Sequence, residues 1–115
     1  MSALLSCSAW AIEVPADDLQ AIMKHEGEFI TVVGKVVGTH IASSGKVRFL
    51  NFGEDYRKAF TAVIFTGDLA KFTATVGEPT KFYAGKNVKV SGRIKIYKGK
   101  PEMILKAPDQ IEESK

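Results

Sequence analysis

The chain has 115 residues, of which 45% are hydrophobic and 25% charged, and its formal net charge is +3. This length supports one modest hydrophobic core, which excludes a second domain, and no run of about 20 apolar residues exists for a membrane-spanning helix. With Cys7 as the single cysteine and only two histidines, neither an internal disulfide nor a zinc site of four Cys and His ligands can form.

The first eleven residues, MSALLSCSAWA, carry no charge and end in Ala9-Trp10-Ala11, which fits the small-x-small pattern before a signal-peptidase site. We expect residues 1–11 to be the end of a signal peptide and the protein to be periplasmic or secreted. The basic n-region is missing, so this signal peptide is expected to be truncated. The stretch Leu4–Cys7 also weakly resembles a lipoprotein cleavage box, in which Cys7 would carry the lipid. The competing interpretation is an apolar tail whose Cys7 and Trp10 pack on the domain.

Residues 12–27 predict an N-terminal helical segment. The sequence PADD at 15–18 places a proline and two carboxylates where a helix start favours them. Leu19, Ile22 and Met23 recur at i, i+3 and i+4 and so share one face, and Gly27 ends the helix.

The next segments predict three strands. Residues 28–42 are rich in β-branched side chains and interrupted by Gly34 and Gly38, which indicates one long strand that bends sharply at the glycines. Strands two and three are KVRFLNFG at 46–53 and AFTAVIFT at 59–66, joined by a polar loop.

A helix and two more strands complete the chain. Helical spacing of apolar residues predicts a helix over 67–76. Residues 87–97 alternate strictly, so that Tyr97 shares one strand face with the basic residues and the valines and isoleucines share the other. The last strand is predicted at 102–106, and Pro108 is expected to end the regular structure.

This order predicts an all-β domain over 28–112, a five-stranded Greek-key barrel of the OB-fold type. It has a helix between strands three and four and is preceded by the short N-terminal helix. A barrel of SH3 type does not ordinarily hold a full helix at that place, and a sandwich needs about seven strands.

The charges are separated along the chain. Residues 12–34 hold five carboxylates against one lysine, and residues 81–106 hold eight basic side chains against one carboxylate. A basic stripe in one part of a small domain is typical of a protein with a phosphate-bearing partner. The competing interpretation is a solvated lysine-rich face that protects a strand edge from aggregation.

Three motifs in sequence order carry a resemblance: G-K-x-V-x-V-S-G-R-I at 85–94, G-K-P-E-x-I-L at 99–105 and P-x-Q-I at 108–111. With the preceding strands, they resemble the OB-fold nucleic-acid-binding domain of the anticodon-binding and helicase-associated type. The chain is more similar still to small exported bacterial proteins that consist of little besides this domain. The resemblance covers about residues 28–112 and implies single-stranded nucleic acid bound across strands two and three, with Phe49 stacking a base.

The residues themselves predict the same ligand, because single-strand binding needs cations along the phosphates and aromatic faces for the bases. Alternation places Leu50 and Phe52 inward and Phe49 and Asn51 outward, while most other phenylalanines are expected in the core. The predicted nucleic-acid-binding site combines basic and aromatic residues of the central hairpin and the last connection: Arg48, Phe49, Arg57, Lys58, Lys95, Tyr97, Lys98 and Lys100.

We predict no catalysis, no cofactor and no metal. His25 and His40 have no serine or cysteine partner at a recognised spacing. Glu54 and Asp55 followed by Arg57 are expected to form a solvated turn rather than a metal-dependent nuclease site. The alternative function is an extracytoplasmic OB-fold interaction domain that binds a protein, peptide or oligosaccharide in the same groove, and an apolar groove would favour it.

Overall fold

The computed structural model describes residues 12–114. The predicted signal peptide at residues 1–11, with Cys7 and Trp10, lies outside the described residues. Within residues 12–114, no helix is long and apolar enough to cross a membrane.

Eight strands and three short helices form the described part of the chain. In chain order they are β1 (Glu13–Pro15), α1 (Leu19–Met23), β2 (Phe29–Lys35), β3 (Gly38–Ile41), β4 (Val47–Asn51), β5 (Thr61–Phe65), α2 (Thr66–Val76), α3 (Pro79–Phe82), β6 (Asn87–Tyr97), β7 (Lys100–Ile104) and β8 (Ile111–Glu113), with a 3₁₀ turn at Pro108–Gln110 before β8.

The sheet closes on itself through the segment that contains β2 and β3. From β3 the hydrogen-bonded neighbours run to β4, β5, β7, β6 and back to β2. The pairing of β5 with β7 is parallel, and the other pairings of this circuit are antiparallel. The architecture is therefore mostly β and compatible with the OB-like barrel that the sequence predicts.

The predicted long first strand bends between the two glycines rather than at them. β2 ends at Lys35 and β3 begins at Gly38. At the bend, the N–H of Val36 donates to the carbonyl of Lys86 at 2.9 Å, and the N–H of Val37 donates to the carbonyl of Asn51 at 3.0 Å. The backbone thus changes partners from the β6 side to the β4 side within one residue, and this change closes the sheet.

The structure has eight strands where the sequence predicted five. The bend divides the first strand into two, β1 pairs in parallel with β2, and β8 pairs with β6. Pro15, predicted at a helix start, instead ends β1. Helix α1 begins at Leu19, and the carboxylate of Asp18 caps it by accepting the N–H of Ala21. Regular structure also continues beyond Pro108 as β8. The short strands β1 and β8 were not predicted because three residues are too few to show an alternation of apolar and polar side chains.

The core follows the predicted faces closely. Val88, Val90 and Ile94 of β6 are buried, whereas Lys95 and Tyr97 of the same strand are exposed. Apolar burial at every second position is what holds this strand in register, since a slip by one residue would expose the whole set. The largest fully buried rings are Phe60, next to β5, and Phe72, on α2.

Candidate nucleic-acid interface

A groove of about 820 Å³ opens on the outer face of the barrel. Its lining comes from the start of β3, from β4, from the loop between β4 and β5 and from the turn between β6 and β7. Phe49 and Asn51 line it while Leu50 between them is fully buried, so the groove lies on the face opposite to the core. The lining is formed by Val37, Gly38, Thr39, His40, Phe49, Asn51, Gly53, Glu54, Tyr56, Arg57, Tyr97, Lys98, Lys100 and Glu102.

Five of the eight predicted site residues meet in this groove although up to 51 positions separate them in the printed sequence. They are Phe49, Arg57, Tyr97, Lys98 and Lys100. Their meeting follows from the sheet pairings, because β4 and β7 are the two neighbours of β5.

Three aromatic side chains offer faces to a ligand. Tyr97 and Tyr56 are 48% and 60% exposed, although each is a large ring that would otherwise be expected to pack. Phe49 is partly buried, and its ring lies 6.0 Å from that of His40 at an interplanar angle of 23°. Such surfaces are what base stacking requires.

Two cationic side chains extend beside these rings. The Nζ of Lys98 lies 5.4 Å from the centroid of the Tyr97 ring. Lys98 and Gly99 form a two-residue turn with φ values of 51° and 81°, the left-handed conformation that tight hairpins require. Arg57 is 76% exposed, and its Nε donates to the carboxylate of Asp55 at 3.2 Å. That hydrogen bond from the Arg57 side chain lowers the pKa of Asp55.

The floor of the groove is polar and ordered by hydrogen bonds. The ammonium of Lys100 donates to the carbonyl of Tyr56 at 2.7 Å and to the hydroxyl oxygen of Thr61 at 2.8 Å. Thr61 in turn donates to Oδ1 of Asn51 at 3.0 Å. With two of its three protons engaged, Lys100 organises the loop and the floor, a use that differs from the predicted free phosphate contact.

The charges of the floor respond to burial. Burial lowers the pKa of Lys100, an effect that the carboxylate of Glu102 opposes. Burial likewise raises the pKa of Glu102, against the attraction of Lys100 and Lys95. Burial therefore opposes the charged form of each side chain, and the charge of each favours that of the other.

The other three predicted residues are not among those that line the groove. Arg48 follows the alternation to the face opposite Phe49, where its Nη2 lies 3.1 Å from Oε1 of Glu78 and its Nη1 donates to the carbonyl of Gly45 at 2.7 Å. Arg48 is thus paired within the protein, and its predicted contact with nucleic acid stays a prediction. Lys58 and Lys95 are exposed but do not line the groove, although Nζ of Lys95 lies 5.9 Å from the Tyr97 ring.

Several groove residues were missed from the sequence. Tyr56 stands alone among the charged residues of its loop, where no apolar neighbour could bury it, and this signal was readable. His40 enters because it pairs with Phe49 across two strands, and Glu102 because it pairs with Thr61. His40 and Glu102 were missed because no local sequence pattern determines which residues of two strands pair with each other.

The acidic residues of the β4–β5 loop were considered as a metal site in the sequence. Within residues 12–114, no group of three or more His, Cys, Asp or Glu side chains is arranged to hold a metal ion. Glu54 and Asp55 lie in the loop at the rim, and Asp55 is occupied by Arg57.

Comparison with known proteins gives fold likeness without sequence likeness. No protein-family profile and no curated protein sequence matches the chain. Solved structures do. An asparaginyl-tRNA synthetase of Entamoeba histolytica in complex with asparaginyl-adenylate is 15% identical, with a TM-score of 0.56 over 90% of this chain and 23% of its own. An aspartyl-tRNA synthetase of the same organism is 12% identical, with a TM-score of 0.54 over 84% of this chain and 20% of its own.

A small protein matches as well. The OBody AM1L10, solved bound to hen egg-white lysozyme, is 16% identical, with a TM-score of 0.55 over 80% of this chain and 83% of its own. The chain thus spans about a fifth of the length of the synthetases that it matches and most of the length of the OBody. At these identities the likeness shows the fold, and this chain has an OB-like, mostly β fold.

Proposed function

We propose that this chain is a non-catalytic module that binds single-stranded nucleic acid in the groove. The observation that carries the proposal is the convergence of the exposed rings of Tyr56 and Tyr97, the partly exposed ring of Phe49 and the cations of Lys98 and Arg57 on one open surface. The fold likeness to two enzymes whose names include tRNA supports the same class of ligand.

The chemistry of the groove favours a single strand over a duplex. A ring such as Phe49 stacks only on a base whose face is free, and bases in a duplex already stack on each other. Lys98 and Arg57 line the same groove as the rings, so that phosphates of a strand whose bases stack there would pass near these cations.

Binding without catalysis fits the side chains that face the ligand. His40, the histidine of the groove, lies against the Phe49 ring, and Lys100 is engaged with Tyr56 and Thr61. We assign no chemical step to either.

The test is direct titration of short, fluorescently labelled, mixed-sequence RNA and DNA strands followed by fluorescence anisotropy. Wild-type protein is expected to bind at low salt, and Phe49→Ala is expected to weaken binding about 5- to 150-fold, the range for loss of one stacked base. Phe29→Ala serves as the matched control, because Phe29 is 58% exposed but lies on β2 outside the groove.

Two results would contradict the proposal. One is wild-type protein that binds no strand at low salt, which would direct attention to a protein, peptide or oligosaccharide partner. The other is equal affinity of the Phe49→Ala and Phe29→Ala variants, because binding would then occur elsewhere on the molecule.

A further inference from the structure

Asn51 and Glu102 are polar side chains in the floor of the groove with hydrogen-bonding capacity left over. They are 9% and 8% exposed. Among the described residues, the Asn51 amide nitrogen and the Glu102 carboxylate take part in none of the side-chain hydrogen bonds, although Asn51 Oδ1 accepts from Thr61. Every fully buried side-chain nitrogen or oxygen between residues 12 and 114 has a partner, so these free groups must reach open space. Both residues line the groove, which is that space.

The orientation of the Asn51 amide is set by chemistry. A lysine ammonium only donates, so the Thr61 oxygen accepts from Lys100 at 2.8 Å. The Thr61 hydroxyl proton is then left for Asn51, whose Oδ1 lies 3.0 Å away. The amide must therefore turn its oxygen to Thr61 and keep its two N–H donors for the groove.

These groups lie on the same outer face of the sheet as the proposed stacking ring. Asn51, Thr61 and Glu102 are direct partners across β4, β5 and β7 and form one row on the outer face. Phe49 is two residues before Asn51 on the same face of β4, a spacing of about 6.6 Å along a strand. A base that stacks on Phe49 would thus direct its edge toward a row that offers amide donors and a carboxylate.

We propose that Glu102 and Asn51 make the groove selective for guanine at the position that stacks on Phe49, an inference that rests on the proposed single-strand binding. The Watson–Crick edge of guanine carries two adjacent donors, N1–H and the N2 amino group, beside the acceptor O6. A carboxylate accepts both donors in a charge-assisted pair, and the Asn51 amide donates to O6.

The other bases leave this row unsatisfied. Adenine places the lone pair of N1 beside its single amino donor, cytosine does the same with N3, and uracil has one N3–H between two carbonyl oxygens. Each therefore brings an acceptor against the carboxylate, and buried polar groups left unpaired are the strongest source of discrimination between similar ligands.

The experiment uses oligouridine strands that carry one central guanine, inosine, adenine or cytosine, titrated against the whole chain. We expect the guanine strand to bind about 5- to 150-fold more tightly than the adenine strand, and inosine, which lacks the N2 amino group, to lie between. In Glu102→Gln the ratio of guanine to adenine affinity is expected to fall to nearly one.

Glu54→Gln is the matched control, because it removes a carboxylate from the groove rim and leaves the floor unchanged. It is expected to raise all affinities and to preserve the guanine preference. A thermal melt establishes that each variant is folded.

The outcomes separate this inference from the proposed function. Equal binding of all four strands by the wild type, or a guanine preference that survives in Glu102→Gln, overturns base selection while single-strand binding stands. Absence of binding to every strand overturns both.

Discussion

Phe49 and Leu50 are neighbours on β4, but one lines the groove and the other belongs to the core. Leu50 is fully buried in the core, whereas Phe49 lies partly exposed in the groove against His40. Replacement of Leu50 would leave a cavity in the barrel. Replacement of Phe49 removes the proposed stacking surface, so binding and folding can be tested separately at neighbouring positions.

At neutral pH, where the Glu102 carboxylate would accept from guanine, its buried charge is expected to lower the free energy of unfolding. Its pKa is raised by burial, so the stability that it contributes is fully present below the unfolded-state pKa and is lost as the pH rises through the folded-state pKa. Glu102→Gln stays neutral and is therefore expected to be more stable than wild type at neutral pH, by on the order of 1 kcal/mol.

Urea unfolding at neutral pH and at an acidic pH below the ordinary pKa of a glutamate side chain measures this difference. The advantage of the variant should shrink at the lower pH. A variant that is less stable than wild type at neutral pH would show instead that Lys100 and Lys95 stabilise the carboxylate by more than burial penalises it.

At the scale of elements, α3 is attached to β4 through one carboxylate. Oε2 of Glu78 accepts from the N–H and the hydroxyl of Thr80, at 3.1 and 2.9 Å, and Oε1 accepts from Arg48. Burial of Glu78 opposes its ionisation, but the hydrogen bonds from Arg48 and Thr80 outweigh burial and lower its pKa. The pair therefore both caps the helix and ties it to the sheet.

Glu78→Gln is expected to lower the free energy of unfolding by about 1 to 2 kcal/mol at neutral pH, the usual range for charge-assisted hydrogen bonds that are partly exposed. Because the folded-state pKa is lowered, this stability is present above the unfolded-state pKa and is lost as the pH falls through the folded-state value. Chemical denaturation at about pH 7 and about pH 3 measures it. A loss that is the same at both values would contradict the assignment.

The two glycines of the first strand segment have different roles. A Cβ at Gly34 would lie 2.6 Å from the Cβ of Ala16, because the chain after β1 crosses closely over β2. A Cβ at Gly38 would meet no atom within 4 Å. The sequence predicts a bend at Gly34. The structure requires a glycine there for a different reason, because Ala16 lies too close to leave room for a side chain.

Gly34→Ala is expected to destabilise the protein by about 1 to 3 kcal/mol, since Ala16 or its backbone must shift to make room. Gly38→Ala is the control, expected to change stability by less than about 0.5 kcal/mol. Thermal melting of the two variants decides the matter. Equal melting temperatures would mean that the segments around Ala16 and Gly34 accommodate the added methyl group without a loss of stability.

At the scale of the whole molecule, the basic stripe of the sequence does not become a single cationic surface. Lys89 is bound to Glu13 and Lys86 lies 3.8 Å from Glu113, so acidic residues from distant positions neutralise part of it. Lys98 remains on the open rim of the groove. The number of phosphates neutralised should therefore be much smaller than the number of lysines.

Salt dependence of binding measures that number. For single strands the logarithm of the association constant falls against the logarithm of salt with a slope of about 0.7 per phosphate contact. Lys98→Ala is expected to reduce the steepness by about 0.7, and Lys81→Ala, an exposed lysine on α3 away from the groove, to leave it unchanged. Titrations at several salt concentrations give the slopes, and identical slopes for both variants would remove Lys98 from the interface.

Local patterns alone were enough to predict the elements and their faces. Strict alternation placed β6 at residues 87–97, where the structure has it, and apolar spacing predicted residues 67–76 for α2, which begins one residue earlier. Alternation also separated Phe49 from Leu50. Such predictions succeed because the side-chain period of a strand or helix is a property of consecutive residues and of the need to bury one face.

Only the tertiary structure decided which side chains share the groove. Closure of the sheet brought His40 to Phe49 and Glu102 to Thr61, and folding of the β4–β5 loop placed the Tyr56 carbonyl within hydrogen-bond distance of Lys100. The fold also places Glu78, thirty positions away in the sequence, 3.1 Å from Arg48 on the face opposite the groove. Periodicity determines the face on which a residue lies, whereas its neighbours across strands depend on register and loop closure, which join segments far apart in the chain.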